Sequence, residues 1–123
     1  MSGIGVDLIE IERVERALER RPALRERIFN PGELEFADRR RRPGRHLAAR
    51  FAAKEAALKA LGLGGLRLRE VEVTGGGDRP PGLLLHGSAA DRARRLGVEL
   101  ELSLSHSREL AVAAVIGRRA GER

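Results

Sequence analysis

Three phenylalanines are the only aromatic side chains in this chain of 123 residues. Any core it forms must therefore be assembled from Leu, Val, Ile and Ala. At 41% hydrophobic, the chain has enough apolar side chains to fold. Its length suits one domain, spanning 1–123, with a modest interior. A small aliphatic core makes association between copies attractive. The chain has no cysteine, which excludes a disulfide framework and thiol chemistry. No signal peptide precedes the first apolar run, and no run is long enough to span a membrane. A cytoplasmic protein is expected.

Charge narrows the partners. A net charge of +6 and a pI near 11.2 point to something anionic. The missing aromatics argue against nucleic acid, because single-strand binders usually stack bases on aromatic rings. Phosphorylated small molecules and acidic proteins remain. Of the 24 basic residues only Lys54 and Lys59 are lysine, and both lie in the stretch 51–62. Arginine is a wide planar fork, whereas lysine is a compact point charge on a flexible stem. Two lysines together in an arginine-rich chain mark positions where the fork does not serve.

Apolar alternation predicts a strand over 3–9, with Asp7 standing inside the apolar run. A helix follows over 10–21 and stops at Pro22, with room for a short helix over 23–29. Asn30-Pro31-Gly32-Glu33 reads as the cap and first turn of a helix running to Asp38. The arginine run 39–42 and Pro43-Gly44 read as a basic loop before a helix over 47–61, which Gly62 ends. Strands are expected over 67–74 and 83–85, with Gly75–Gly77 and Pro80-Pro81 as the turn between them. A helix over 88–96 precedes two strands, 99–105 and 110–116, joined as a hairpin. The class is α+β, in the order one strand, three helices, two strands, one helix, two strands. Gly75–Gly77 lacks the strand–loop–helix setting and the Lys-Ser/Thr ending of a phosphate-binding loop.

Four groups of residues carry the functional readings. Ala48, Ala52, Glu55 and Lys59 form one stripe of the helix over 47–61, beside a large apolar stripe of Leu47, Phe51, Leu58 and Leu61. Glu55 and Lys59 could be an exposed pair four residues apart, worth about 0.3–0.5 kcal/mol. Alternatively the alanines let a ligand approach, with Glu55 on a cation and Lys59 on a phosphate. Lys54, near the apolar stripe, is expected to pack its stem and snorkel its head, structurally or at the edge of the site. Asp7 needs a partner in an apolar strand: one of the arginines, or Mg²⁺, which takes one or two protein carboxylates and completes its shell with water and phosphate. Ser103-Leu104-Ser105-His106-Ser107 puts a polar cluster at a strand end, where a phosphate can be held. No Gly-x-Ser-x-Gly elbow accompanies it, which argues against a serine hydrolase. On the first helix Ile11, Val14 and Leu18 form an apolar stripe, with Arg13, Arg16 and Arg20 on one flank and Glu12, Glu15 and Glu19 on the other. It is either a solvated amphipathic helix or a basic ridge for an acidic helix. The charge also admits a non-enzymatic module that binds RNA or a ribosomal surface.

Gly-Ile-Gly-Val-Asp-Leu-Ile-Glu-Ile (3–11), Arg-Phe-Ala-Ala-Lys-Glu-Ala-Ala-Leu-Lys-Ala-Leu-Gly (50–62) and Ser-Leu-Ser-His-Ser (103–107) resemble, in order and spacing, the three motifs of the holo-acyl-carrier-protein synthases. These are small bacterial 4'-phosphopantetheinyl transferases. Ser107 stands where the family often has Asp or Thr, and Leu110-Ala111 where an aromatic is common; local contacts rather than activity are expected to differ. The resemblance implies a 4'-phosphopantetheinyl transferase-like fold assembled as a homotrimer, with active sites between subunits. It implies Mg²⁺-dependent transfer of 4'-phosphopantetheine from coenzyme A to a serine of apo acyl carrier protein, for fatty-acid biosynthesis, releasing adenosine 3',5'-bisphosphate. By motif position, Asp7 and Glu55 would hold the metal and Lys59 would contact the reacting phosphate. Arg50, Gly62, His106 and Ser107 would lie around coenzyme A, and Arg13 and Arg20 would face the acidic carrier. Glu55, directly or through a water, would take the serine proton.

Overall fold

The computed structural model describes residues 3–65 and 67–121. Its centre is a long helix buried on almost every side. Strand β1 (Ile4–Glu10) leads into α1 (Ile11–Arg20), the short α2 (Leu24–Ile28), α3 (Pro31–Asp38) and the long α4 (Pro43–Ala60). A 3₁₀ turn (Leu68–Glu70) precedes the hairpin β2 (Val71–Gly76) and β3 (Arg79–Leu85). Helix α5 (Gly87–Leu96) and the hairpin β4 (Val98–His106) and β5 (Leu110–Arg119) complete the chain. The α+β class stands, but four helices rather than three separate the first two strands.

Several boundaries differ from expectation. Helix α4 begins at Pro43, inside the expected basic loop, because proline at a first helical position gives up only an N–H that has no partner there. Pro80 and Pro81 belong to β3, not to the turn. They sit in a two-stranded ribbon, where an edge tolerates missing donors. The single strand expected over 67–74 is divided between the 3₁₀ turn and β2.

Strands β1, β5 and β4 form an antiparallel sheet in that spatial order, with Asp7 opposite Ala113 and Leu104 opposite Ala113 on the other side. Helix α4 packs on the sheet through small side chains. Ala52, Ala53, Ala56 and Ala57 share one cluster with Ala113 and Val115, and Ala48 and Ala49 another with Ile11, Val14 and Ala111. A Cβ added to Gly5 would lie 1.9 Å from the Ala56 carbonyl oxygen, so only glycine lets β1 come this close. What the alanine stripe admits is thus the chain's own sheet and α1, not a ligand. This helix–sheet contact relies on small side chains, while the buried Phe29 packs in a separate cluster with Ala37 and Leu47.

The opposite face of the sheet is uncovered and is apolar across β1 and β5, while β4 adds Glu101, Ser103 and Ser105 to it. Ile4, Val6 and Leu8 are 71%, 52% and 63% exposed, and Ile116, Ala114 and Val112 stand directly beside them on β5.

Lys54 does not snorkel. Its side chain is fully buried, and its Nζ lies 2.7 Å from Glu33 Oε1. It donates to Asn30 Oδ1 (2.9 Å), the Leu68 carbonyl (3.1 Å) and the Val71 carbonyl (2.7 Å). Glu33 in turn accepts from the N–H groups of Asn30 and Val73, each at 2.7 Å. Replacing Lys54 with methionine keeps the volume but strands the Glu33 carboxylate. Lys54→Met is expected to lower stability by about 3–5 kcal/mol, the usual cost of breaking a buried pair from one side. Urea unfolding followed by circular dichroism measures it; a loss below about 1 kcal/mol, the scale of exposed pairs, contradicts the assignment.

Candidate active site

The polar residues of the first two motifs meet where β1 crosses α4. Alternation along β1 turns Asp7 toward the helix, while Glu55 and Lys59, one turn apart, face the strand. Lys59 Nζ donates to the Val6 carbonyl at 3.0 Å and to Asp7 Oδ1 at 3.2 Å. The partner of Asp7 is therefore a lysine. Burial raises the Glu55 carboxyl above its ordinary value, and the Asp7 charge adds to this while Lys59 partly offsets it. Two carboxylates forced together beside one ammonium leave room for more positive charge.

These groups open into a cleft of about 590 Å³. Glu10 and Arg13 line its polar side, and Val14, Leu18, Leu24 and Phe51 its apolar side. No group of three or more His, Asp or Glu gathers to cage a metal among the described residues. An open pair of carboxylates is nonetheless a donor set that suits Mg²⁺, which keeps several waters and shares its shell with phosphate oxygens. Asp7 and Glu55 could hold it.

Helix α1 sorts its arginines. Arg16 pairs with Glu12, and Glu15 is gripped by Arg42 through two bonds of 2.9 and 3.0 Å. Arg13 and Arg20 make no ion pair among the described residues, and they stand two turns apart along one flank. The arginine run is mostly structural: Arg39 pairs with Glu35, Arg40 stacks on Phe36 and Arg42 also donates to the Arg108 carbonyl.

The remaining motif residues lie elsewhere. Arg50 is buried and donates to the Val73 and Gly75 carbonyls, both at 2.9 Å, holding the β2–β3 hairpin to α4. Burial lowers its pKa from the ordinary arginine value. His106 ends β4 and meets His46 edge-to-face, 6.2 Å between ring centres. Ser107 Oγ accepts from the N–H groups of Glu109 and Leu110, closing the β4–β5 turn. Gly62 takes φ +68° as α4 ends, a conformation that favours glycine. Arg50 and His106 line a second cavity that shares no residue with the first. Arg50 precedes Lys59 by nine residues, about two and a half turns at 3.6 residues each, so the two project from opposite sides of α4. His46, one turn before Arg50 on α4, shares its face by spacing alone. Phe36 and Arg79, for which sequence spacing gave no sign, join it through the packing of α3 and β3.

The family model of the 4'-phosphopantetheinyl transferase superfamily matches residues 3–115. The chain belongs to this superfamily. Among its relatives, the holo-[acyl-carrier-protein] synthase of Moorella thermoacetica is 46% identical over 115 residues, covering 91% of this chain and 90% of that one. The synthase of Halorhodospira halophila is 49% identical over 121 residues, covering 94% and 96%. Solved structures agree in fold. The synthase of Neisseria meningitidis superimposes with a TM-score of 0.83 at 29% identity, covering 95% of this chain and 98% of that one. That of Bacillus anthracis, in complex with CoA (3',5'-ADP), gives 0.78 at 34%, covering 96% of each. Within the superfamily the chain is a member of the holo-acyl-carrier-protein synthase family. Membership leaves an RNA- or ribosome-binding module with no support beyond charge.

In this phosphopantetheinyl transferase the Glu55 carboxyl should titrate above an ordinary glutamate. Asp7→Asn should move that titration down, and Lys59→Met should move it up, as ¹³C-detected carboxyl shifts between pH 3 and 8 (about one unit or more either side of the reference value) would show. A Glu55 titration indifferent to both changes would separate the three groups.

Proposed function

We propose that this chain transfers 4'-phosphopantetheine from coenzyme A to a serine of apo acyl carrier protein, giving the holo carrier and adenosine 3',5'-bisphosphate for fatty-acid biosynthesis. One observation carries the mechanism: Asp7, Glu55 and Lys59, from two separate motifs, meet at a single cleft. The serine oxygen attacks the pyrophosphate phosphorus next to the pantetheine arm, and the bond to the adenosine phosphate breaks. Such transfers need alignment and charge neutralisation more than covalent help. Mg²⁺ held by Asp7 and Glu55 would supply the charge that offsets the pyrophosphate. Lys59, already leaning on Asp7, needs only to swing its flexible head to reach the phosphate and stabilise charge on the leaving side. Glu55 accepts the serine proton, directly or through a bound water. Its raised pKa in the free chain fits a group that holds protons at a higher pH than usual. Arg13 at the cleft rim, with Arg20 along the same flank, suits an acidic carrier helix.

The functional unit in this reading is a homotrimer with each active site shared between neighbours. Two features support it. The uncovered row of Ile4, Val6, Leu8 and Ile116 is a large apolar surface for a chain this charged. The coenzyme A residues Arg50 and His106 also lie across α4 from Lys59, so one chain alone offers two half-sites. Gly62 and Ser107 complete the coenzyme A set through their backbone turns. Among the described residues no helix is long and apolar enough to cross a membrane, in keeping with work in the cytoplasm.

Asp7→Ala and Glu55→Ala should each remain folded and lose Mg²⁺-dependent transfer by at least about a hundredfold, the scale of losing a charge-stabilising group. The check is phosphopantetheine mass gain on apo carrier protein with coenzyme A and Mg²⁺. Full activity in both variants removes them from the metal site. Absence of any mass gain with the unaltered chain, across several carriers, removes the reaction itself. Val6→Lys should leave circular dichroism intact yet yield monomers by light scattering, with transfer lost in parallel. Activity retained by a monomer would end the shared-site proposal.

A further inference from the structure

The second cavity, of about 340 Å³, is lined by Arg40, His46, Arg50, Arg79 and His106, and by no carboxylate. Arg40, Arg50 and Arg79 repel one another there, Glu33 behind the cavity offsets part of the Arg50 charge, and an entering anion would favour the cluster further. The histidines stand out, since neither has a hydrogen-bond or ion-pair partner among the described residues. His46 is fixed in place, with its ring edge-on to Phe36 at 5.8 Å and to His106 at 6.2 Å. Its position in the first turns of α4 adds the positive end of a long helix.

We propose that His46 is a further phosphate-binding residue of this enzyme, and that coenzyme A binding takes up a proton at His46 beside His106. The inference rests on the coenzyme A reading of Arg50 and His106 given above. In the free chain His46 is held below its ordinary pKa, first by burial and then by repulsion from Arg45, Arg40, His106 and Arg50. It is therefore neutral at pH 7. Arg79 of β3 lines the same cavity. An entering phosphate dianion reverses the balance, because an opposite charge within about 4–6 Å favours the charged ring. The proton comes from solvent, and the imidazolium then donates to a phosphate oxygen. The sign follows directly. Where the free ring is neutral and the bound ring charged, affinity rises as pH falls. It turns over once a phosphate monoester takes its own second proton, near pH ~6. His46 lies outside all three motifs.

Calorimetric titration of the intact oligomer with coenzyme A, in two buffers of different ionisation enthalpy, counts the protons taken up. The unaltered chain should show net uptake at pH 7.5, and its affinity should fall between pH 6.5 and 8.5 by up to about tenfold per pH unit for one linked proton. His46→Phe keeps the ring contact with Phe36. It should lower the uptake and weaken binding several-fold at pH 6.5, with little change at pH 8.5. If that variant does not fold, His46→Gln takes its place with the same expectation. Unchanged proton uptake, or weakening by one factor at every pH, overturns the inference while leaving the coenzyme A site standing. No binding by the unaltered chain at any pH overturns both.

Discussion

A lysine and a glutamate buried against each other organise this molecule. Lys54 and Glu33 sit where α3, α4, the 3₁₀ turn and β2 converge, and their bonds reach all four. Removing two charges from water carries a penalty of several kcal/mol per ion, which only dense hydrogen bonding can offset. Here every neighbouring oxygen and N–H is enlisted: Asn30 from the cap of α3, the carbonyls of Leu68 and Val71, and the N–H of Val73. Four elements have one arrangement that satisfies the pair. The β2–β3 hairpin is placed by it, and Arg50, bound to the Val73 and Gly75 carbonyls, extends the same knot to the rim of the basic cavity.

Close packing sets the catalytic side. Glycine at position 5 and alanines along α4 let strand and helix approach until side chains from each can touch. Lys59 then reaches the Val6 carbonyl and Asp7, and Glu55 shares their field. A chain poor in aromatics is well fitted to such an arrangement, since large rings would hold the backbones apart. The cost appears on the outer face of the sheet. A thin core with α4 on one side leaves Ile4, Val6 and Leu8 bare on the other.

Legibility varied with the range of the contact. Asp7 was visible as a carboxylate within an apolar strand, and Glu55 with Lys59 as a pair one turn apart; both are local signals. The cap at Asn30, the stop at Gly62 and the β4–β5 hairpin were local too. A helical wheel ranks faces by their own neighbours, so it gives Lys54 a snorkelling head and has no knowledge of Glu33 arriving from another helix. The alanine stripe leaves two readings open, an exposed ion pair or a landing place for a ligand, because nothing in its spacing says that β1 and α1 already occupy it. Pro43 is ambiguous from sequence, because a helix start tolerates proline as well as a loop does.

The residues alone determined the α+β class, the motifs and the chemistry that two carboxylates and a lysine can perform, because these follow from side-chain type and from spacings within one element. Tertiary structure decided which lysine is buried and which reaches the site, and which arginines are already paired. It also decided that His106 of β4 joins Arg50 at one cavity. Those outcomes depend on contacts between elements far apart in the chain, and such contacts are selected by packing and desolvation in three dimensions rather than by any period along one segment.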